Sequence, residues 1–293
     1  MNPSKQGRCV VCETPLSAAP VIRIGARDLF RCAGCESWTC LPRPSATGLA
    51  AIHDDPAYFD HPYFQDRRVD QRSITRRCCA AFTRIAAGID LASLRGERLL
   101  DVGCDTGAFL DAACSLYGIA PVGVDVSVRA VAHAKARGIE AHAVFLEDAP
   151  PHLRDLALIT ALDLIEHVAD PRTFLRSVHA RLRPGGILYL ETPNIQSTIY
   201  RLGRSLFNLW AGCAKGMFER LFPTEHVQYF SDRGLTTLAS SCDLQLVQLT
   251  KRRLYWSDIA TSHPVRLSLE SLQAVDALVG QPILLCALLR RRS

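Results

Sequence analysis

No stretch of the chain stays apolar for long. Its longest uninterrupted runs, such as Ile283 to Leu289, fall far short of the roughly 20 residues that cross a bilayer. The opening MNPSKQGRCVVC has none of the apolar core of a secretory signal. Both absences lead to the expectation of a cytoplasmic protein. Basic residues are also thinly spread: the net charge of +5 comes partly from Lys251-Arg252-Arg253 and Arg290-Arg291-Arg292, and neither cluster is interleaved with aromatics on which single-stranded nucleic acid could stack. Such clusters read as solvated surface, so no nucleic-acid partner is expected. The absence of an internal repeat excludes solenoids. What remains is an ordinary globular composition, 48% apolar over 293 residues, sufficient for one full-sized domain with a smaller one beside it.

Cysteine is abundant by contrast. Twelve are many for a compartment where disulfides are rare, so their spacing must be read as metal binding, chemistry or core filling. Cys9-Val-Val-Cys12 and Cys32-Ala-Gly-Cys35 are two CxxC knuckles nineteen residues apart, within the range of a four-cysteine zinc site. The intervening VIRIGARDLFRC alternates like a short hairpin that would fold the second knuckle back onto the first. So small a unit has too little core to stand without its metal, and four thiolates leave no open coordination position, so the expected zinc is structural. A thioredoxin-like role would need one CxxC in a βαβ setting, which is absent. Cys40 could compete as a ligand, whereas the adjacent Cys78-Cys79 reads as helix packing.

The spacing gives three segments: a zinc-binding domain over 1–42, a linker over 43–72, rich in proline, acids and aromatics and expected to become structured against a neighbour, and a main domain over 73–293. The main domain alternates. Strand-like runs at 97–103, 119–126, 140–146, 156–162 and 187–191 are separated by helical patterns, and 244–249 and 282–289 offer a paired edge. Ser127 and Asp170 read as N-caps, with Pro171 at a first helical position. This alternation predicts an α/β fold, a mostly parallel sheet covered by helices on both faces, with ligands bound beyond the carboxyl ends of its strands.

At the first of those ends stands LLDVGCDTGAFL. A dinucleotide loop, G-x-G-x-x-G from Gly103, would put glycine where Asp105 and Ala108 stand. An acid there repels a diphosphate but tolerates a ligand with positive charge and no phosphate, as S-adenosylmethionine is. Asp101-Val102-Gly103-Cys104-Asp105-Thr106-Gly107 resembles motif I of class I S-adenosylmethionine-dependent methyltransferases, with Asp105 in place of the middle glycine. Twenty-four residues beyond Asp101, Gly123-Val124-Asp125-Val126-Ser127 ends the second strand with an acid, and Phe145-Leu146-Glu147-Asp148 follows the third. Asp163-Leu164-Ile165-Glu166-His167, Arg183-Pro184-Gly185-Gly186 and Glu191-Thr192-Pro193-Asn194 complete a resemblance, over roughly 73–250, to the ubiquinone-biosynthesis O-methyltransferase-like and sugar methyltransferase-like branch, some of whose bacterial members carry an N-terminal cysteine-knuckle domain.

That resemblance implies a Rossmann-like seven-stranded sheet and S-adenosylmethionine as cofactor. Gly103 and Gly107 would allow its close approach, Asp101 would meet its ammonium and Asp125 its ribose hydroxyls. Cys104, Asp105, Val126, Leu146, Glu147, Leu162 and Asp163 would line the rest. It points to transfer of a methyl group to oxygen or carbon of a small molecule, a sugar precursor or a quinone-like or lipid acceptor. His167 and His226 are the candidate bases, with Glu166 beside them. Asp163, Glu166, His167 and His226 also match by type and order a metal-binding set of some relatives, although Glu166 and His167 could equally shape the pocket wall. Residues 195–225 read as a lid-like insertion over the acceptor, able to touch a membrane surface, or as a cover completing the core. A non-catalytic zinc-knuckle binding protein and an RNA methyltransferase are the alternatives.

Overall fold

The computed structural model describes residues 7–24, 27–55, 71–210, 221–254 and 263–292. Two sheets organise it. The larger has seven strands in the order β10-β11-β8-β7-β4-β5-β6, built from β4 (Arg98–Val102), β5 (Ala120–Asp125), β6 (Glu140–Ala143), β7 (Leu156–Leu162), β8 (Leu182–Pro193), β10 (Leu244–Arg252) and β11 (Leu284–Arg291). From β6 to β8 the neighbours pair in parallel, and β11 and β10 then pair antiparallel as the expected hairpin-like edge. Central strands covered on both faces need apolar side chains in both directions. Accordingly Leu156 to Ala161 and Ile187 to Glu191 are buried without a break.

The connecting helices start and stop where the chain's local chemistry requires. Ser127 caps α4 (Val128–Ala136) by accepting from the Ala130 N–H, and Asp170 caps α5 (Pro171–Arg181) by accepting from the Arg172 and Thr173 N–H groups, with Pro171 supplying a preset φ at the first position. Gly118, in the left-handed region, closes α3 (Ala108–Tyr117). On α5 the buried Phe174, Leu175 and Val178 face the sheet. Helix α2 (Gln71–Ile85) buries Cys78, Ala81, Phe82 and Ile85 against α3, so Cys78 fills core as its spacing suggested.

The smaller sheet, ordered β1-β2-β3-β9, was only half foreseeable. Strands β1 (Ile22–Ile24) and β2 (Arg27–Arg31) form the expected hairpin between the knuckles, and β3 (Trp38–Leu41) extends it. Its fourth strand, β9 (Gln228–Tyr229), comes from the far part of the chain, with Trp38 opposite Tyr229 and Thr39 opposite Gln228. Ser231 fastens the junction, its Oγ donating to the Cys35 carbonyl and its N–H to the Ser37 Oγ. The 43–72 segment, expected to be a linker that becomes structured against a neighbour, contains helix α1 (Ala46–Asp54), capped by Ser45; 56–70 lie outside the described residues, and 71 and 72 belong to α2. Proline and acids there hid an apolar contact: Leu49 is buried.

The insertion is partly core. It opens on Ile195, Ile199 and Tyr200, which pack with Phe222, Tyr229 and Trp38 in one cluster. Helix α6 (Thr198–Trp210) continues it, and 211–220 lie outside the described residues. Its first turn receives a cap from afar, as the Thr198 N–H donates to the buried Asp276 of α7 (His263–Leu278). No described helix is long and apolar enough to cross a membrane.

Glu191 on β8, 1% exposed, receives a two-pronged contact from Arg252 of β10, at 3.2 Å and 2.5 Å. Burial alone would raise its pKa, but the Arg252 charge, with Arg77 behind it, holds it below the usual range. Removing one partner of such a pair leaves the other charge buried. Arg252→Met is therefore expected to destabilise the protein by about 3 kcal/mol, read as a lowered midpoint in denaturant.

Candidate active site

Strand order reverses between β4 and β7, so the loops leaving their carboxyl ends diverge and open a crevice. A cavity of about 870 Å³ occupies it. Asp101, Gly103, Cys104, Asp105, Asp125, Val126, Leu146, Glu147, Leu162 and Asp163 all line this cavity, as the resemblance implies. Gly107 does not. It caps α3 at φ 76°, and a Cβ there would fall 2.6 Å from Ile139 Cδ1 and 3.1 Å from Ala134 Cβ. Its lack of a side chain serves helix packing, not approach to a ligand. Cys104 points inward, its Sγ occupying the space that a Cβ on Gly123 would need.

Asp105 takes the glycine-like conformation its position demands, at φ 48°, which aspartate tolerates better than most residues. Its N–H donates to Asp125 Oδ2 at 2.9 Å, and the Ser127 N–H donates to Asp125 Oδ1 at 2.9 Å. Two backbone amides thus fix the Asp125 carboxylate and leave lone pairs for a diol. Asp101 is 3% exposed and accepts from the Thr160 hydroxyl at 2.6 Å. Burial pushes Asp101 up to about 7 against the Thr160 bond, and pushes Asp125 up to about 6 against its backbone bonds, with the Asp105 charge adding to both. Such a site favours a cation.

Arg77, which no local spacing marks, enters from α2. Its Nη2 lies 2.7 Å from Asp163 Oδ2 and 3.7 Å from Glu191 Oε2, and it lines the cavity. Its charge acts on Asp101 against the effect of burial, and it joins the cavity to the Glu191–Arg252 pair.

On the far side of Asp163, three imidazoles meet. The His167 and His226 rings stand edge to face at 4.6 Å, and His53 of α1 does the same to His167 at 4.9 Å. His53 lay in the presumed linker, so sequence reasoning missed it. Burial holds His167 well below its ordinary pKa, with His226 and His53 adding to the shift, and burial brings His226 down to about 4. Both rings are neutral at pH 7. Their Nδ1 atoms are buried without a hydrogen-bond partner among the described residues, and the Glu225 backbone faces the other nitrogen of His167. Glu166 is 1% exposed and accepts from the Thr192 hydroxyl at 2.8 Å, and burial, then the Asp163 charge, lifts it to about 8. One donor atom each from Glu166, His167 and His226 lies within 4.8 Å of the others. Asp163 is not part of this group; it turns to Arg77.

The four knuckle cysteines also converge. Cys9 and Cys35 Sγ are 3.6 Å apart, Cys12 and Cys32 Sγ 3.4 Å, and all four lie within 4.8 Å of one another. Tetrahedral zinc with bonds of about 2.3 Å needs edges of about 3.8 Å, so the set fits. Cys40 is not in the group; it is buried in β3 opposite Leu29. Helix N-terminal Arg172 donates to the Val11 carbonyl at 3.0 Å, tying the first knuckle to α5.

A parallel sheet with this order and an antiparallel edge, acids at the ends of its first strands and a loop that refuses diphosphate define a class I S-adenosylmethionine-dependent methyltransferase. Residues 70–249 match the methyltransferase domain family, and the chain belongs to it. It is similar to the ubiquinone biosynthesis O-methyltransferase of Pseudomonas syringae pv. tomato, 27% identical over 60% of this chain and 79% of that one. The enzyme of the same description from Marinobacter nauticus is 32% identical over 35% of this chain and 46% of its own. Among solved structures, an S-adenosylmethionine-dependent methyltransferase from Archaeoglobus fulgidus shares the fold with TM-score 0.52 at 17% identity, over 81% of this chain and 100% of that one. A chain of the complex between the Haloferax volcanii Trm112 methyltransferase activator and a methyltransferase does so with TM-score 0.57 at 15% identity, over 84% and 98%.

Asp101 and Asp125 are raised to about 7 and about 6, so a cationic cofactor held by both would displace their protons. Affinity for S-adenosylmethionine is expected to fall as pH drops from about 7 to about 5, by up to tenfold per unit for each acid protonated. Titration calorimetry across that range checks this, and Asp101→Asn should flatten the upper part of the profile.

Proposed function

We propose that the protein methylates a hydroxyl of a small molecule, a sugar precursor or a quinone-like or lipid acceptor, with His167 as proton acceptor. The observation that carries this reading is the His167 Nδ1: buried, without a hydrogen-bond partner among the described residues, on a ring held neutral at pH 7 and bordering the cavity. A ring that donates from Nε2 keeps its lone pair on Nδ1, which suits a base. The relatives named above carry O-methyltransferase in their names, which supports oxygen as the target.

In this reading Asp125 takes the ribose hydroxyls and Asp101 the ammonium, with Leu146 and Glu147 beside the adenine. Arg77, facing the same acids, is placed for the cofactor's carboxylate. The acceptor O–H gives its proton to His167 while its oxygen takes the methyl group; the sulfur–carbon bond breaks and its electron pair returns to sulfur, leaving a neutral thioether. The sulfonium needs no help to leave, so the protein's share is alignment and proton removal. His226 and Glu166 shape and orient this wall.

A second reading draws on the same orphaned nitrogens. Glu166, His167 and His226 would together hold a divalent cation that binds and acidifies the acceptor. Glu166, lifted to about 8 without a cation, would become a carboxylate beside one. The four-cysteine set is the proposed site of a structural zinc in both readings. Metal analysis separates them: about one zinc per chain fits His167 as base, and a second ion lost in Glu166→Gln assigns the cation.

An idle binding protein has no use for two buried acids whose charges lack a cation, since burial without a partner costs stability. RNA as acceptor would demand phosphate contacts and steep salt dependence. The test is transfer of labelled methyl from S-adenosylmethionine to a host-cell extract, partitioned into lipid-soluble, sugar-nucleotide, polymer and RNA fractions. Label is expected in a small-molecule fraction, reduced about 100-fold in His167→Ala with cofactor affinity kept, in line with loss of a general base. Asp125→Ala should lose both binding and transfer. Label in RNA overturns the acceptor class, and cofactor binding without any transfer overturns the enzyme reading.

A further inference from the structure

We infer that the four-cysteine unit builds one wall of the acceptor site, through His53 as a positioning residue, and that metal on its four thiolates is what keeps this wall in place. The inference rests on the acceptor site proposed above. Two separate connections lead from the knuckles to the imidazole cluster.

The first is helix α1. It follows β3 after four residues. Ala46, Leu49, Ala50 and His53 from it line the large cavity, so α1 forms part of the roof over the crevice. Its last turn contacts both halves of the site. His53 meets the His167 ring edge to face at 4.9 Å, and the next residue, Asp54, accepts from the Ser127 hydroxyl at 3.0 Å. Ser127 in turn donates its N–H to the Asp125 carboxylate. One helical turn of the N-terminal unit thus touches the acceptor's proposed base and the neighbour of the ribose acid.

The second connection is β9. It pairs with β3, and the residue before it, Val227, donates its N–H to the Glu166 carbonyl at 2.9 Å. His226 sits next to that bond. β3 itself receives the Val227 carbonyl through the Cys40 N–H at 3.0 Å. His226 is therefore held between the loop that carries Glu166 and His167 and the strand that leaves the second knuckle. The Cys35 carbonyl and the Ser37 hydroxyl both bind Ser231, on the other side of β9.

Three short strands and two knuckles bury too little to define a structure without a cross-link. Metal binding to the thiolates supplies that cross-link, and its folding free energy reaches His53 and His226 through these bonds. The position of His53 against His167 restricts the ring to one rotamer, and it narrows the acceptor's approach to the Nδ1 side. The N-terminal unit then acts as an activator carried in the same chain, and the metal is distant from the chemistry while the acceptor site depends on it.

Hydrogen exchange on the full chain, saturated with S-adenosylhomocysteine, before and after metal removal by a chelator tests the connection without any acceptor. Residues 46–54 and 226–230 are expected to exchange at least tenfold faster once the metal is gone, while 98–125 stay protected. Unchanged protection of 46–54 overturns the inference, and so does equal loss in 98–125, because that would be global unfolding. The extract assay tests His53: His53→Ala should lower transfer about tenfold by raising the apparent KM for the labelled fraction, with cofactor affinity kept, and His53→Gln should restore part of it. Full transfer by His53→Ala overturns its positioning role. If the parent protein transfers no label, the proposed function fails, and the exchange result still decides the link between the knuckles and α1.

Discussion

The constraint on which the site depends is the placement of three carboxylates, Asp101, Asp105 and Asp125, around one crevice. Asp101 and Asp125 are pushed up to about 7 and about 6, burial being the main cause. Such acids can be tolerated only where rigid backbone holds them, and each is so held: Asp101 in a central strand, Asp125 by two amides, Asp105 in a left-handed turn. The sheet order supplies the rest, because only at the reversal between β4 and β7 do two loop ends part far enough to admit a ligand. A cationic cofactor relieves the stored repulsion, whereas a diphosphate would add to it. The same charges that burial disfavours therefore suit a cationic ligand.

The central sheet was legible because its information is local. A buried parallel strand is a run of apolar residues, a helix entry is a Ser or an Asp-Pro, and an exit is a glycine, and each can be read within ten residues. The acids lining the crevice were legible for the same reason: Asp101 and Asp125 lie at the ends of strands that sequence alone delimits. Gly107 shows where such reading fails. A glycine in a binding motif invites a ligand-side explanation, but the crowding is with Ile139 and Ala134, some thirty residues later. Arg77 and His53 were invisible for a related reason. Neither belongs to a pattern, and each acquires its role from a contact far along the chain, with Asp163 and with His167.

The linker segment carried the weakest local signal. Its proline, acids and aromatics matched no period, and that was correct for the chain as a string, because α1 has one fully buried residue, Leu49. Amphipathic periodicity reports how much of a helix faces a core, so a helix that roofs a cavity on one side and meets solvent on the other gives almost no signal. The β3–β9 pairing was hidden in the same way. Two residues of β9 carry it, between elements nearly two hundred positions apart, and a two-residue strand has no alternation to detect.

These hidden contacts divide the labour of the molecule. The large sheet fixes Asp101 and Asp125 on adjacent parallel strands, β4 and β5. The proposed acceptor side is assembled from segments that meet only through contacts far apart in the chain: α1 from the cysteine unit, the loop after β7, and the return into β9. Non-local contacts cost more chain entropy to form than local ones, so this half needs additional restraints. The knuckle cysteines are such a restraint within the small unit, and the Ser231 bond to Cys35 and the Arg172 bond to Val11 tie that unit to the rest of the chain. A cofactor pocket that must hold one invariant ligand can be built into a rigid sheet. An acceptor wall assembled from three separate segments can change with any one of them, which is how a common sheet serves different acceptors.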